Sequence, residues 1–180
     1  MKTKIIKTKG DWQEVVNDCR SSVSKPPLGK EPSSKFKHDI LISEHSPIRN
    51  IWIKWQWPGI PYWIAMHFKT HIWPSVVSTQ RSDRTGEPRQ KKPQDAPVDF
   101  TGEANCQHHI DTSRKRLCYM ASPETREHQE DLKLAIHAIE LELADVMVPN
   151  CIYRCGCPEL NGGCGWFSQI CKSHPDFASP

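Results

Sequence analysis

The stretch from Ile51 to Trp57 most narrows what this chain can become. Ile51, Ile53, Trp55 and Trp57 alternate with Trp52, Lys54 and Gln56. A two-residue period with unlike faces describes a strand with one apolar side. Pro61 then stands where a helix can begin, and Tyr62 to Ile72 reads as that helix, stopped by Pro74. A second helix signal is Ser122-Pro123-Glu124: a capping hydroxyl, proline at the first position and an acid in the first turn. Leu132, Ile136, Ile139 and Leu143 follow on one helical stripe. These signals predict an α+β fold, a small, mostly antiparallel sheet packed by long helices, mainly Glu103–Met120 and Pro123–Val148.

The remaining elements are shorter. Lys2–Lys7 reads as a strand around Ile5 and Ile6. Asp11 can cap a helix running to about Ser24, with Trp12, Val15, Val16 and Cys19 on one face. Lys25–Lys35 is expected to be loop, and Phe36–Glu44 a short helix. Residues 75–97 are polar and lack apolar periodicity, which predicts a functional loop or a linker. With 180 residues, 37% hydrophobic content and 15 prolines, a modest core with substantial loops is expected. The tryptophan-rich strand suits burial in that core and burial between subunits equally.

Composition also excludes some functions. The most apolar stretch, Ile51–Ile72, is broken by Lys54, Pro58, Pro61, His67 and Lys69, so no membrane span is expected. The first residues hold no long apolar run and no small-residue cleavage site, so a cytoplasmic location is expected. A net charge of +3 is too small to argue for nucleic acid.

Two stretches carry more polar groups than packing demands: Thr79-Gln80-Arg81-Ser82-Asp83-Arg84, and Asn105 to Arg116, which ends Ser113-Arg114-Lys115-Arg116. Arginine forks beside serine hydroxyls suit a phosphate monoester through charge-assisted bonds and a neutral donor. A solvated loop and a solvated helix face would have the same composition.

The order of motifs adds to this. The opening TKIIKTKGDWQEVV, then Ser43-Glu44-His45-Ser46, then the strand, proline and helix from Ile51, resemble the flavin-dependent thymidylate synthase family in sequence. Thr70-His71-Ile72 stands at the family's Arg-His-Arg. Residues 79–84 stand at its Asn-Glu-x-Ser-x-Arg. Arg89-x-x-x-Pro93 is similar to its Arg-x-x-Leu-Pro, and Ala104-Asn105, Arg116 and Ala121-x-x-Glu124 fall at the spacing of its last signature region. The resemblance covers roughly residues 1–148. The chain departs from the family at Thr70 and Ile72, where both arginines are absent, and at Gln80, which replaces glutamate.

The resemblance implies a flavin-dependent thymidylate synthase-like fold and the C5 methylation of dUMP to dTMP. Methylene-tetrahydrofolate would supply carbon, and FAD recharged by NADPH would supply hydride, because no side chain donates one. It implies Ser82, Arg84 and Arg116 at the reacting nucleotide, with Gln80 and Arg89 also binding it. It places His45, His71 and Asn105 near the cofactor. It further implies a homotetramer whose sites draw on several subunits. The altered Arg-His-Arg also fits a pyrimidine nucleotide-modifying enzyme with changed chemistry, such as hydroxymethylation without the reductive step.

Residues 149–180 form a cysteine-rich tail after the synthase-like domain of residues 1–148. Cys151, Cys155, Cys157 and Cys164 lie close in sequence among turn-forming glycines, and four thiolates suit tetrahedral zinc. Cys171 and His174 are substitute ligands. The spacing differs from a paired Cys-x-x-Cys knuckle, and free thiols are the competing account. A zinc-stabilised module binding nucleotide or nucleic acid is the non-enzymatic alternative.

Overall fold

The structure is a computed structural model and describes residues 3–173. Its fold is α+β, as expected. The described residues divide into two compact units, the first made of residues 3–32 and 46–108, the second of residues 33–45 and 109–173. The described part of the cysteine-rich tail falls in the second unit together with the helices that precede it.

The first unit holds the whole sheet. Strands β1 (Lys4–Lys9), β2 (Trp52–Pro61), β3 (Ser75–Val77) and β4 (Pro97–Asn105) lie in the order β1-β2-β4-β3. Every neighbouring pair is antiparallel. The alternation in β2 does what its pattern requires. Trp55 and Trp57 are buried at 1% and 0% exposure, while Lys54 and Gln56 face outward. Trp57 stacks on Phe100 at 5.4 Å between ring centroids and meets Phe68 edge-on at 4.7 Å. Trp55 meets Trp73 at 5.1 Å. Trp55 and Trp57 therefore belong to the core of this unit. Gly102 on β4 permits this arrangement, because a Cβ there would lie 2.4 Å from the Trp55 ring.

Helix α1 (Trp12–Ser21) buries Trp12, Val15 and Val16, and the Asp11 carboxylate caps it by accepting from the Glu14 N–H at 2.7 Å. Helix α3 (Tyr62–Lys69) follows β2 directly and buries Ile64, Ala65 and Phe68. It ends at Lys69, before the expected Ile72, and the hydroxyl of its cap residue Thr70 bonds back to the His67 carbonyl at 2.8 Å. A single turn, α4 (Ser82–Thr85), lies in the polar stretch.

In the second unit, α2 (Ser34–Ile42) contributes Ile40 and Leu41 to the core, together with α6 (Pro123–His137) and α7 (Leu141–Val146). Helix α5 (Cys106–Arg116) contains the boundary between the units, after His108. The Ser122 cap holds, its hydroxyl accepting from the Thr125 N–H at 3.4 Å. Thr125, His128, Gln129, Leu132 and Ile136 form the buried stripe of α6. Two short helices, α8 (Asn150–Tyr153) and α9 (Trp166–Ser173), follow. Among the described residues, no helix is long and apolar enough to cross a membrane.

Three expectations about elements are corrected. Residues 103–105 end a strand instead of starting a helix, because Val98, Phe100, Gly102 and Ala104 alternate inward and pair with β2. The expected helix over 123–148 breaks after His137, where the Ile139 and Glu140 N–H groups both return to the Ile136 carbonyl. The polar stretch contains β3, which survives there because Val76 and Val77 pair with Thr101 and Phe100.

Candidate functional site

In the first unit, a cleft of about 410 Å³ opens beside β3. Its basic groups are Lys69, at the end of α3, and Arg89. Ser75 and Ser78 bring hydroxyls from β3 and its end, and Thr79 and Gln80 continue the wall. The Gln80 Nε2 is screened from solvent and meets no acceptor among the described residues. A buried amide donor of this kind costs stability until a ligand oxygen satisfies it.

Local bonds arrange the polar stretch. Arg81 forks onto Asp83, with Nη2 at 2.7 Å and Nε at 3.0 Å from its two oxygens. Arg81 is thus committed within its own turn. The Ser82 hydroxyl accepts from the Arg89 N–H at 3.1 Å, which ties the turn to the segment that bears Arg89. Arg84 is exposed on α4. Of the residues expected at the nucleotide, Gln80 and Arg89 therefore line one cleft, Ser82 is bonded to the backbone of Arg89, and Arg84 lies nearby in sequence on the same short turn.

The residues expected near a flavin are divided between the two units. His71 stacks on Trp73 with centroids 5.9 Å apart and planes 3° from parallel. Asn105 is 5% exposed, and its side-chain oxygen accepts from the His108 N–H at 2.9 Å at the start of α5. His45 is exposed and belongs to the second unit. At the Arg-His-Arg position, the Thr70 hydroxyl is engaged with His67, and Ile72 is 90% exposed and carries no donor.

The second unit contains Arg116 and a separate cavity of about 500 Å³. Arg116 is half-buried there, and burial pushes its guanidinium pKa down. Cys118, Cys151, Cys157 and Cys164 line the same cavity. Of the thiols expected to hold zinc, Cys155 is not in this lining; it is exposed, with a left-handed φ of 51°. Among the described residues, no three His, Cys, Asp or Glu side chains converge closely enough to hold a metal ion as they stand. Cys171 lies in α9, and His174 lies outside the described residues. Nearby, Arg114 pairs with Glu44 and with Asp111, and its guanidinium lies 3.5 Å over the Tyr153 ring.

Sequence reasoning did not group Lys69 and the β3 hydroxyls with Gln80 and Arg89, or Cys118 with the tail cysteines. The single readable signal was Val76-Val77, a short β-branched pair inside a polar run. Cys118 lies too far upstream of the tail for spacing to reveal it.

The sheet order and the helices around it define an α+β protein with a flavin-dependent thymidylate synthase-like fold. The chain superimposes on ThyX, a flavin-dependent thymidylate synthase from Helicobacter pylori solved with FAD and dUMP, at a TM-score of 0.68 and 10% identity, covering 82% of this chain and 100% of that one. It also matches PolB, a UMP/dUMP methylase from Streptomyces cacaoi bound to 5-Br dUMP, at a TM-score of 0.64 and 10% identity, covering 80% of this chain and 93% of that one. No protein-family model matches the chain, and no curated protein matches it by sequence.

Proposed function

We propose that the protein is an enzyme that adds a one-carbon unit to C5 of a uracil nucleotide of the dUMP class. The observation that carries this is the cleft of the first unit. It combines two cations, several hydroxyls and an unsatisfied buried amide, on a fold shared with a dUMP-bound synthase and a UMP/dUMP methylase. A phosphate monoester satisfies the Lys69 and Arg89 charges and accepts from the hydroxyls of Ser75, Ser78 and Thr79. The Gln80 amide donates to a carbonyl or phosphate oxygen of the same ligand. Ser82 holds the Arg89 backbone, and Arg84, exposed on the same turn as Ser82, adds positive potential. Arg116, in the second unit, is assigned to the nucleotide by the resemblance alone.

On this reading methylene-tetrahydrofolate would be the carbon donor, and FAD with NADPH would supply the reducing power that methylation requires. The residues at the Arg-His-Arg position do not fit a flavin held as in the family. Thr70 is bonded to backbone, Ile72 has no donor and Asn105 is committed to the start of α5. That observation favours a second reading, hydroxymethylation. There the carbon unit joins C5, water supplies the hydroxyl, the C5 proton leaves and tetrahydrofolate is released, with no change of oxidation state. A homotetramer and a cytoplasmic location complete the proposal.

The test is tritium release from [5-³H]dUMP with methylene-tetrahydrofolate, run with and without FAD and NADPH, with the product weighed by mass spectrometry. Both readings release tritium. Methylation yields dTMP only when reductant and flavin are present, whereas hydroxymethylation proceeds without either. No release from dUMP or UMP under any of these conditions would refute the enzyme.

A further inference from the structure

The cavity in the second unit gathers sulfur from two distant parts of the chain. Cys118 follows the end of α5. Cys151 is on α8, and Cys157 and Cys164 sit on the loop that leads to α9. All four are free thiols that line the cavity.

Two further observations mark this as more than a chance grouping. The first concerns Gly163. Its φ is +67°, and a Cβ built there would lie 2.4 Å from the Cys157 sulfur. The loop therefore seats that sulfur against bare backbone, which only glycine allows. The second is charge. Lys115 and Arg116 line the same cavity. A divalent ion held by four thiolates carries a net double negative charge. Two basic side chains on the wall are the complement such a centre needs.

We propose that Cys118, Cys151, Cys157 and Cys164 are the ligands of a structural site for a thiophilic divalent ion, with zinc as its natural occupant and Cys118 in place of Cys155. As described, the thiols surround the cavity without reaching ligand distance. Binding draws in the loop of residues 155–165, whose Gly162, Gly163 and Gly165 all have left-handed φ values. The four thiols release their protons to solvent as the metal–sulfur bonds form, and no electron is transferred. The ion then ties the tail to the end of α5. This site stands independently of the nucleotide reading, since its occupancy is measured without substrate.

The test uses the full chain, reduced, stripped of metal and titrated with Co²⁺. One equivalent should produce sulfur-to-cobalt charge-transfer absorption and the visible bands of tetrahedral coordination. Cys118→Ser should lower the charge-transfer intensity by about a quarter, one thiolate in four, and weaken zinc binding at least about tenfold. Cys155→Ser should change neither. Absence of thiolate bands in the wild-type chain overturns the proposal, as does loss of intensity in Cys155→Ser with Cys118→Ser unaffected. Should Cys118→Ser fail to fold, the wild-type chain decides. Zinc should protect Cys118, Cys151, Cys157 and Cys164 from alkylation while Cys155 reacts. Protection of Cys155 with Cys118 reactive overturns the ligand set.

Discussion

The two units set similar basic side chains beside different donors. The cleft of the first unit rests on a sheet whose aromatic core is interlocked, and it offers hard donors: hydroxyls, an amide, Lys69 and Arg89. The cavity of the second unit lies among helix ends and a glycine-rich loop, and there the basic residues stand beside sulfur. The partner of the basic group decides what a site accepts. Beside hydroxyls it suits an anion, whereas beside thiols it would balance the negative charge of the proposed thiolate–metal centre.

The sharpest way to break the comparison is to remove the support of one region. Trp57→Ala deletes the ring that touches both Phe100 and Phe68, and should cost about 3–5 kcal/mol in denaturant unfolding. Because β3 pairs with β4 at Phe100, nucleotide binding should be lost as well, whereas cobalt binding by the thiols should persist. Next in size is Arg89→Ala. A charge-assisted bond is worth about 1.5–3 kcal/mol, so dUMP affinity should fall roughly ten- to a hundredfold, measured by calorimetry. Cobalt spectra should be unchanged, and Cys118→Ser should show the converse pattern.

Two smaller effects sharpen the contrast. Asp11→Ala removes the α1 cap in the first unit and should cost about 1 kcal/mol, read from the shift in the denaturant midpoint. The second unit should carry a distinct acid sensitivity. Burial lowers the His128 pKa, and the bond from its Nδ1 to the Glu124 carbonyl only partly opposes this. The unfolded chain then takes up the proton first, so stability is complete above the ordinary histidine pKa of about 6.5 and declines as pH falls through it towards the folded value. Hydrogen exchange at Leu132 and Ile136 should quicken over that window, and His128→Gln should flatten the slope.

How far the sequence disclosed these regions follows from the range of the forces involved. The β2 strand was legible because its bulky residues keep a strict period of two, and α6 because its cap and stripe are local. β4 was obscured because its inward positions include Gly102 and Ala104, which carry little hydrophobic signal, and Gly102 must be small where Trp55 crosses. β3 has only three residues and depends on β4 for its existence. The same holds for the sites. Gln80, Ser82 and Arg89 lie in one continuous motif order, so they could be read together. Lys69 and Cys118 reach their neighbours only through tertiary folding, which no spacing rule reports. The departures at Thr70 and Ile72 were visible in sequence, and the structure adds that Thr70 is already bonded to its own helix.

The central claim is that the first unit's cleft recognises a nucleotide through its phosphate. It is tested most directly by calorimetric titration of dUMP and of deoxyuridine into the wild-type chain and into Arg89→Ala. The account expects dUMP to bind at least about tenfold more tightly than deoxyuridine, and Arg89→Ala to erase most of that difference. Equal affinity for the two ligands, or undiminished dUMP binding by a folded Arg89→Ala protein, would contradict it.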